Sequence, residues 1–267
     1  MAGQLVVVPT PIGNLEDITL RALSALRAAD VIACEDTRRT RILLDRFGVT
    51  APLVSYHEHN EQARARELVR RMQSGEVVAL VSDAGMPLVS DPGYVLVREA
   101  VAAGVGIEVL PGPSAVLTAL VASGLPSAQW RFVGFLPRKA SELRSVLASP
   151  ETIVAFESPR RLAAALSAVD PDREVAVCRE LTKVHEEVVR GTAGELAARY
   201  AGESVRGEIV LVVGPLPDGG DQGVSDEAVA AFRELVEAGA KPRVAARVVA
   251  SLTGATANAL YASRDRR

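Results

Sequence analysis

The chain has 267 residues, a formal net charge of −3 at pH 7 and 48% hydrophobic residues. These values exclude a largely disordered chain and favour one large or two modest domains. The slightly negative charge also argues against a protein that coats nucleic acid by bulk electrostatics, so any RNA site must be a local basic patch.

No apolar run is long enough to cross a bilayer, and the first residues contain no basic leader. We therefore expect a cytoplasmic protein that does not act at a membrane. The two cysteines, Cys34 and Cys178, lie in apolar runs, which favours buried, reduced thiols over a disulfide.

The first half of the chain alternates short apolar runs with amphipathic segments, which is typical of a mostly parallel α/β fold. The apolar runs predict strands at 5–8, 31–34, 53–55, 77–81 and 107–110. Five helices are expected between and after these strands. The first begins near residue 19, the second ends at Gly48, the third ends at Gln73, the fourth follows Gly93, and the fifth contains Leu117, Leu120 and Val121.

In the second half, predicted strands outnumber helices, which favours a mixed sheet. Strands are expected at 132–135, 152–156, 174–178, 186–189 and 208–213, and helices near 141–147, 160–168 and 193–200. A boundary near 117–125 and a Pro/Gly-rich linker at 214–220 divide the chain into domains 1–117, 118–217 and 222–267.

The last domain has a purely helical pattern, at 226–237, 242–252 and 256–262, with breaks at Gly239 and Gly254. Three short helices of this size resemble a helix-turn-helix module. The segment predicts a basic face, formed by Lys241, Arg243, Arg247, Arg264, Arg266 and Arg267. The alternative is a helical tail whose charges are merely solvated.

The segment 82–93 joins a buried strand to a helix, and such loops lie at the carboxyl ends of parallel strands, where ligands bind. It offers two carboxylates, Asp83 and Asp91. We expect Asp83 to contact a ligand. Asp91, followed by Pro92, fits equally well as the cap of the next helix. The loop 9–15 should lie beside this segment if the two preceding strands are parallel neighbours.

Several standard chemistries are excluded by the motifs. The sequence around Gly104 lacks the dinucleotide fingerprint, and no phosphate-binding Gly-Lys-Ser/Thr loop is present. His185 lacks the second histidine of a zinc-protease helix, and His57 and His59 lack further ligands, so no metal site is expected. The site must therefore use carboxylates, backbone groups and an organic cofactor.

Several strings, in order along nearly the whole chain, are similar to those of the ribosomal small subunit methyltransferase I family of the tetrapyrrole-methylase superfamily. They include Val8-Pro9-Thr10-Pro11-Ile12-Gly13-Asn14, Glu35-Asp36-Thr37-Arg38, Ser82-Asp83-Ala84-Gly85-Met86-Pro87, Pro111-Gly112-Pro113-Ser114-Ala115 and Phe156-Glu157-Ser158-Pro159. One departure is Arg160, where relatives often carry histidine, so a proton-transfer role there is not expected.

The resemblance implies two α/β domains of the tetrapyrrole-methylase type with S-adenosylmethionine in the cleft between them, in a homodimer. It implies 2′-O-methylation of a decoding-site cytidine in 16S rRNA of the small ribosomal subunit. The cofactor contacts that it implies are Pro11, Ile12, Asp83, Gly85, Met86, Ser114 and Ala115.

Methyl transfer to a hydroxyl requires removal of its proton, and polar clusters at strand ends offer four candidate bases, Glu35, Asp36, His59 and Lys183. Glu35 and Asp36 could instead form salt bridges or a helix cap, Ser114 could be a simple cap, and His59 could bond a helix start. The expected RNA contacts are Arg38, Arg39, Arg41, Arg138, Lys139, Arg160, Arg161, Lys241, Arg243 and Arg247.

Two other functions stay open. The first is methylation of a tetrapyrrole carbon by a protein of the same fold with the same cofactor. A tetrapyrrole pocket does not need the arginine clusters, so they argue against this function. The second is a ligand-sensing helix-turn-helix regulator that binds duplex DNA and transfers no methyl group.

Overall fold

The computed structural model describes residues 3–216, 226–253 and 257–262. The described residues form two compact units that divide after Pro215. Gly254, Arg264, Arg266, Arg267 and most of the predicted linker lie outside the described residues.

The first sheet has five parallel strands in the order β3-β2-β4-β1-β5. They are β1 (Gln4–Val7), β2 (Val31–Cys34), β3 (Leu53–Ser55), β4 (Val77–Leu80) and β5 (Gly106–Val109). The helices that follow them are α1 (Leu20–Ala28), α2 (Thr37–Arg46), α3 (Glu61–Gln73), α4 (Tyr94–Ala102) and α5 (Ala115–Ser123). The predicted β–α alternation is therefore confirmed.

The central strands β1, β2 and β4 are almost entirely apolar because cores form on both faces of this sheet. Val6, Ile32 and Ala79 pack in one core with Leu23 and Leu26 of α1. The alternate residues of the same strands pack in the other core with helices α3 and α4, among them Leu5, Val7, Val78, Leu80, Leu68 and Leu96.

The second sheet has the order β6-β7-β10-β8-β9 and is mixed, as predicted, because only β6 and β7 are parallel. Its strands are β6 (Trp130–Phe135), β7 (Thr152–Glu157), β8 (Glu174–Arg179), β9 (Glu187–Thr192) and β10 (Ile209–Val213). The helices are α6 (Ala140–Leu147), α7 (Leu162–Leu166) and α8 (Ala193–Tyr200), so the helix expected at 160–168 is shorter than predicted.

Helix α5 packs on the second sheet. Val116, Ala119 and Leu120 share a core with Val154 and Val210. The predicted division after residue 117 falls within this helix, and that division stays a prediction.

Both cysteine thiols are free and buried, as predicted. Burial raises the pKa of the Cys34 thiol and raises that of Cys178 to about 11.

The second unit consists of α9 (Asp226–Glu237), α10 (Pro242–Thr253) and α11 (Ala257–Ala262). The helices share a small core that includes Phe232, Ala246, Val249 and Leu260. Lys241, Arg243 and Arg247 are exposed. Within the described part of the chain, no helix is both long and apolar enough to cross a membrane.

A buried arginine joins the end of α6 to the end of β10. Arg173 is 1% exposed. Its guanidinium donates to the carbonyl oxygens of Gly214 at 2.6 Å, Ser149 at 2.8 Å and Glu151 at 3.1 Å, and also to that of Leu147. The side chain therefore satisfies four backbone acceptors, including those left open where α6 ends.

Replacing Arg173 should destabilise this region strongly. We expect Arg173→Met to lower the free energy of unfolding by about 3–5 kcal/mol, because it leaves buried carbonyl oxygens without donors. Urea denaturation followed by circular dichroism measures the loss. The matched control is Arg131→Met, since Arg131 is exposed and bonds one carbonyl near α6, that of Val146, at 3.0 Å. It should cost less than about 1 kcal/mol, and equal losses in both variants would contradict this role.

Candidate active site

Two loops leave the carboxyl ends of neighbouring strands and are joined by their backbones. Strands β1 and β4 are parallel neighbours. Beyond them, the Thr10 N–H donates to the Gly85 oxygen and the Gly85 N–H donates to the Thr10 oxygen, each at 2.9 Å. The Thr10 hydroxyl also donates to the Ser82 carbonyl at 3.1 Å. The predicted placement of loop 9–15 beside segment 82–93 is therefore confirmed.

These loops form one wall of a cavity of about 510 Å³, and the second sheet supplies the other wall. On the side of the first sheet, the lining residues lie in the loops after the strands and at the start of α2. They are Ile12, Glu35, Arg39, Asp83, Ala84, Gly85, Met86, Val89, Ser90 and Asp91. The start of α5 contributes Ser114, Ala115 and Val116, and the second sheet contributes Phe135, Phe156, Glu157, Ser158, Pro159, Gly207, Glu208, Ile209 and Val210. The volume is within the range of small-molecule sites, about 300–1,000 Å³.

The structure brings together most of the expected cofactor residues. Ile12, Asp83, Gly85, Met86, Ser114 and Ala115 line the cavity, whereas Pro11 is not among the lining residues. Ser114 is also the cap of α5, because its hydroxyl accepts the Leu117 N–H at 3.4 Å. Ser114 can therefore cap α5 and line the cavity at the same time.

The Asp83 carboxylate organises the start of α2. One oxygen accepts the Asp36 N–H at 3.0 Å, and the other lies 3.2 Å from a guanidinium nitrogen of Arg39. Asp83 therefore reaches the cavity with its charge already balanced in part by Arg39.

Asp91 does not cap α4, so that alternative is wrong. The cap position belongs to Gly93, which has a φ of 142°. Before it, Leu88 and Ser90 have φ values of 72° and 65°, which turn the chain and delay the helix beyond the Asp-Pro pair. Asp91 lines the cavity instead, and burial, followed by the charges of Glu35 and Asp83, raises the pKa of its carboxyl to about 6.

Of the four candidate bases, only Glu35 lines the cavity. Burial and the nearby charges of Asp83 and Glu58 raise the pKa of its carboxyl. Asp36 caps α2, and hydrogen bonds from the Arg38 side chain and backbone lower its pKa to about 2. The structural alternatives expected for Asp36, a salt bridge or a helix cap, are therefore both observed.

Lys183 and His59 are not among the residues that line the cavity. The Lys183 ammonium lies 2.8 Å from Glu180 and 3.1 Å from Glu208. Burial acts to lower its pKa, but the hydrogen bonds to these carboxylates outweigh burial and raise it. His59 is exposed in the turn before α3, which is closed by Asn60, whose side-chain oxygen accepts the His57 N–H at 2.9 Å.

The expected RNA-binding residues differ in their exposure. The side chains of Arg38, Arg39, Arg41, Arg138, Lys139 and Arg160 reach solvent. Arg161 instead points into the protein, where its guanidinium donates to the Leu136 carbonyl at 3.0 Å and the Pro137 carbonyl at 2.7 Å. It also lies 3.4 Å from the fully buried carboxylate of Glu157. Arg161 therefore fixes the end of β6.

Sequence reasoning did not single out the wall from the second sheet. Phe135 and Phe156 lie edge to face, 5.5 Å between ring centroids, and Glu208 lies immediately before β10. The signal in the sequence is the string Phe156-Glu157-Ser158-Pro159, which carries the family resemblance and whose residues all line the cavity. Within the described ranges, no group of three His, Cys, Asp or Glu side chains could hold a metal ion.

Comparisons with known proteins agree with this architecture. The family model for Tetrapyrrole (Corrin/Porphyrin) Methylases matches residues 4–197. A solved structure of uroporphyrin-III C-methyl transferase from Thermus thermophilus complexed with S-adenyl homocysteine has a TM-score of 0.58 at 22% identity, covering 79% of this chain and 97% of that one. Diphthine synthase has a TM-score of 0.61 at 20% identity, covering 79% and 90%. The fold is thus that of the tetrapyrrole methylases.

Curated relatives are closer in sequence. Ribosomal RNA small subunit methyltransferase I of Mesorhizobium japonicum is 48% identical, over 96% of this chain and 90% of the relative. The Escherichia coli O157:H7 protein of that name is 44% identical, over 97% and 93%. The chain belongs to the ribosomal RNA small subunit methyltransferase I family.

Proposed function

We propose that this protein uses S-adenosylmethionine to methylate the ribose 2′-hydroxyl of a decoding-site cytidine in 16S rRNA of the small ribosomal subunit. Membership of a family of rRNA methyltransferases supports the reaction class. The observation that carries the proposal is the cavity at the strand ends, which combines backbone, apolar groups and carboxylates.

The lining residues fit this cofactor. S-adenosylmethionine has a flat aromatic adenine, a carboxylate, an ammonium and a sulfonium. The backbone of Asp83, Gly85 and Met86 and the short side chains of Ser114 and Ala115 allow close approach, while Ile12 gives an apolar contact. We propose that these residues hold the cofactor, and that Pro11, which is buried and does not line the cavity, supports the neighbouring Ile12.

When bound, the cofactor supplies an activated methyl group on its sulfonium sulfur. The protein must then orient the ribose hydroxyl and remove its proton, and orientation alone can provide much of the rate. Glu35 is the candidate best suited to remove this proton. It lines the cavity, and its raised pKa makes its carboxylate a stronger proton acceptor. Glu35 would accept the proton of the ribose hydroxyl when its oxygen takes the methyl group from the sulfonium.

Of the other three candidate bases, His59 does not line the cavity, and Asp36 and Lys183 are less suitable because of their charge. Asp36 is held as an anion by Arg38, so it is a weak proton acceptor. Lys183 is held as a cation by Glu180 and Glu208, so it has no free electron pair to accept a proton. We therefore propose structural roles for both.

The exposed basic residues supply the RNA contacts in this proposal. In the first unit these are Arg38, Arg39, Arg41, Arg138, Lys139 and Arg160, and in the second unit Lys241, Arg243 and Arg247. Such side chains position RNA through its phosphates. We further propose that the protein works as a homodimer in the cytoplasm.

Transfer of a labelled methyl group tests the proposal. Small ribosomal subunits lacking the modification are incubated with the protein and methyl-labelled S-adenosylmethionine, and mass spectrometry locates the label. We expect it on the ribose of a decoding-site cytidine. Label on a base, or none on subunits and naked RNA, would overturn the assignment, and tetrapyrrole substrates would then be tested. The duplex-DNA regulator is disfavoured by membership of a methyltransferase family.

Glu35→Gln should lower kcat by about 10²-fold or more, because a glutamine cannot accept the proton. Asp36→Asn keeps a capping oxygen and should retain most of the turnover. Steady-state methylation at saturating cofactor and saturating ribosomal RNA measures both. A large loss in Asp36→Asn with full activity in Glu35→Gln would reverse the assignment.

The combined variant Lys241→Ala, Arg243→Ala, Arg247→Ala should weaken binding of ribosomal RNA and leave cofactor affinity unchanged. If all three side chains contact phosphates, affinity should depend less steeply on salt. The magnitude of the negative slope of log affinity against log salt concentration should decrease by about 2–3. The control removes three exposed arginines elsewhere, Arg66, Arg70 and Arg144. Equal weakening in the control would show that only the overall charge matters.

A further inference from the structure

The charged groups that line the cavity are not balanced. Three of its carboxylates have a cation beside them: Asp83 pairs with Arg39 at 3.2 Å, Glu157 with Arg161 at 3.4 Å and Glu208 with Lys183 at 3.1 Å. The other two, Glu35 and Asp91, form no ion pair with a residue that the structure describes, although the charges of His57 and Arg39 partly oppose the rise in the pKa of Glu35. The side chains that line the cavity therefore carry an excess of negative charge.

The position of Asp91 is imposed by the backbone around it. Leu88 and Ser90 both have positive φ, a conformation that costs free energy in non-glycine residues and is often kept at functional sites. Gly93 must be a glycine, because its φ is 142° and a Cβ there would lie 2.7 Å from the Leu88 side chain. This turn takes Asp91 away from the start of α4 and places it in the cavity wall.

The surroundings of Asp91 disfavour its ionised form. Burial has the largest effect, and Glu35 from the end of β2 and Asp83 from the end of β4 add repulsion, while the Ser82 hydroxyl partly offsets them. Arg39 of α2 is engaged by Asp83, and Glu157 and Glu208 have their own partners. A positive charge on a bound ligand would therefore be the missing counter-ion for this carboxylate.

We propose that Asp91 is a specificity-determining residue that makes the cavity favour S-adenosylmethionine over S-adenosylhomocysteine. This inference rests on the proposed function. The two molecules differ by one methyl group and by the positive charge on sulfur. A carboxylate in a half-buried cavity discriminates between them by charge, which helps the spent product to leave.

The inference has a defined dependence on pH. Above pH 6 Asp91 is ionised and attracts the cation. As the pH falls through 6, protons compete with the cation, so the affinity for S-adenosylmethionine falls, and its binding releases protons. Glu35, whose pKa is also raised, contributes in the same direction. The affinity for S-adenosylhomocysteine should change much less over this range.

Calorimetric titration tests this preference and its dependence on pH. The full-length protein is titrated with each of the two molecules from pH 5 to pH 8, in two buffers of different ionisation enthalpy. At pH 7.5, Asp91→Asn should bind S-adenosylmethionine about tenfold more weakly, while its affinity for S-adenosylhomocysteine changes less than about twofold. Proton release on S-adenosylmethionine binding near pH 6 should be smaller than in the wild type. The control, Asp45→Asn, removes an exposed carboxylate of α2 and should change neither affinity.

Three outcomes overturn the inference. Equal weakening for both ligands would show a steric role for Asp91, and unchanged affinities would show no role. The third is a wild-type affinity for S-adenosylmethionine that stays constant when the pH is lowered below 6. This measurement uses no variant, so it does not depend on whether Asp91→Asn folds. Wild-type protein that binds neither molecule would overturn the proposed cofactor itself, a result distinct from these three.

Discussion

The backbone pairing between Thr10 and Gly85 is the contact on which the site depends. Their two hydrogen bonds continue the β1–β4 pairing past the ends of both strands, so the loops leave the sheet at a fixed separation. The Ser82 hydroxyl donates to the Gly85 oxygen at 3.1 Å, which adds a further bond within the same loop. Because these loops satisfy much of their own hydrogen bonding, their cavity-facing groups are held in place before any ligand binds.

The sequence was sufficient to predict the first sheet and the edge at which the site lies. Runs such as Val77–Leu80 are apolar on both faces, which is what a central parallel strand requires, and parallel strands place their following loops at one edge. The opposite wall could not be predicted in this way. Phe135, Phe156 and Glu208 meet there only because β7 pairs with both β6 and β10, and long-range pairing of this kind is not encoded in any local pattern.

Two local rules were overridden by tertiary structure. The Asp-Pro pair at 91–92 has the composition of a helix start, yet the turn made by Leu88, Ser90 and Gly93 places that start later. Arg161, in an arginine pair that suggests phosphate binding, is directed inward by two carbonyl oxygens and by Glu157. In both cases the residue type was informative, but the direction of its side chain depended on segments distant in sequence. The identity of the base was open for the same reason, since Glu35 and Asp36 are adjacent and differ only in what surrounds them.

Helix α5 and the first loop connect the two sheets in a way that affects how the first unit unfolds. Ser114 and Ala115 line the cavity, while Val116, Ala119 and Leu120 belong to the core of the second sheet. Ile12, from the loop after β1, lies in that same core. Neither sheet can therefore melt without exposing apolar surface that the other keeps buried. The two sheets should behave as one cooperative folding unit, so that a cofactor bound at the cavity raises the thermal stability of both together.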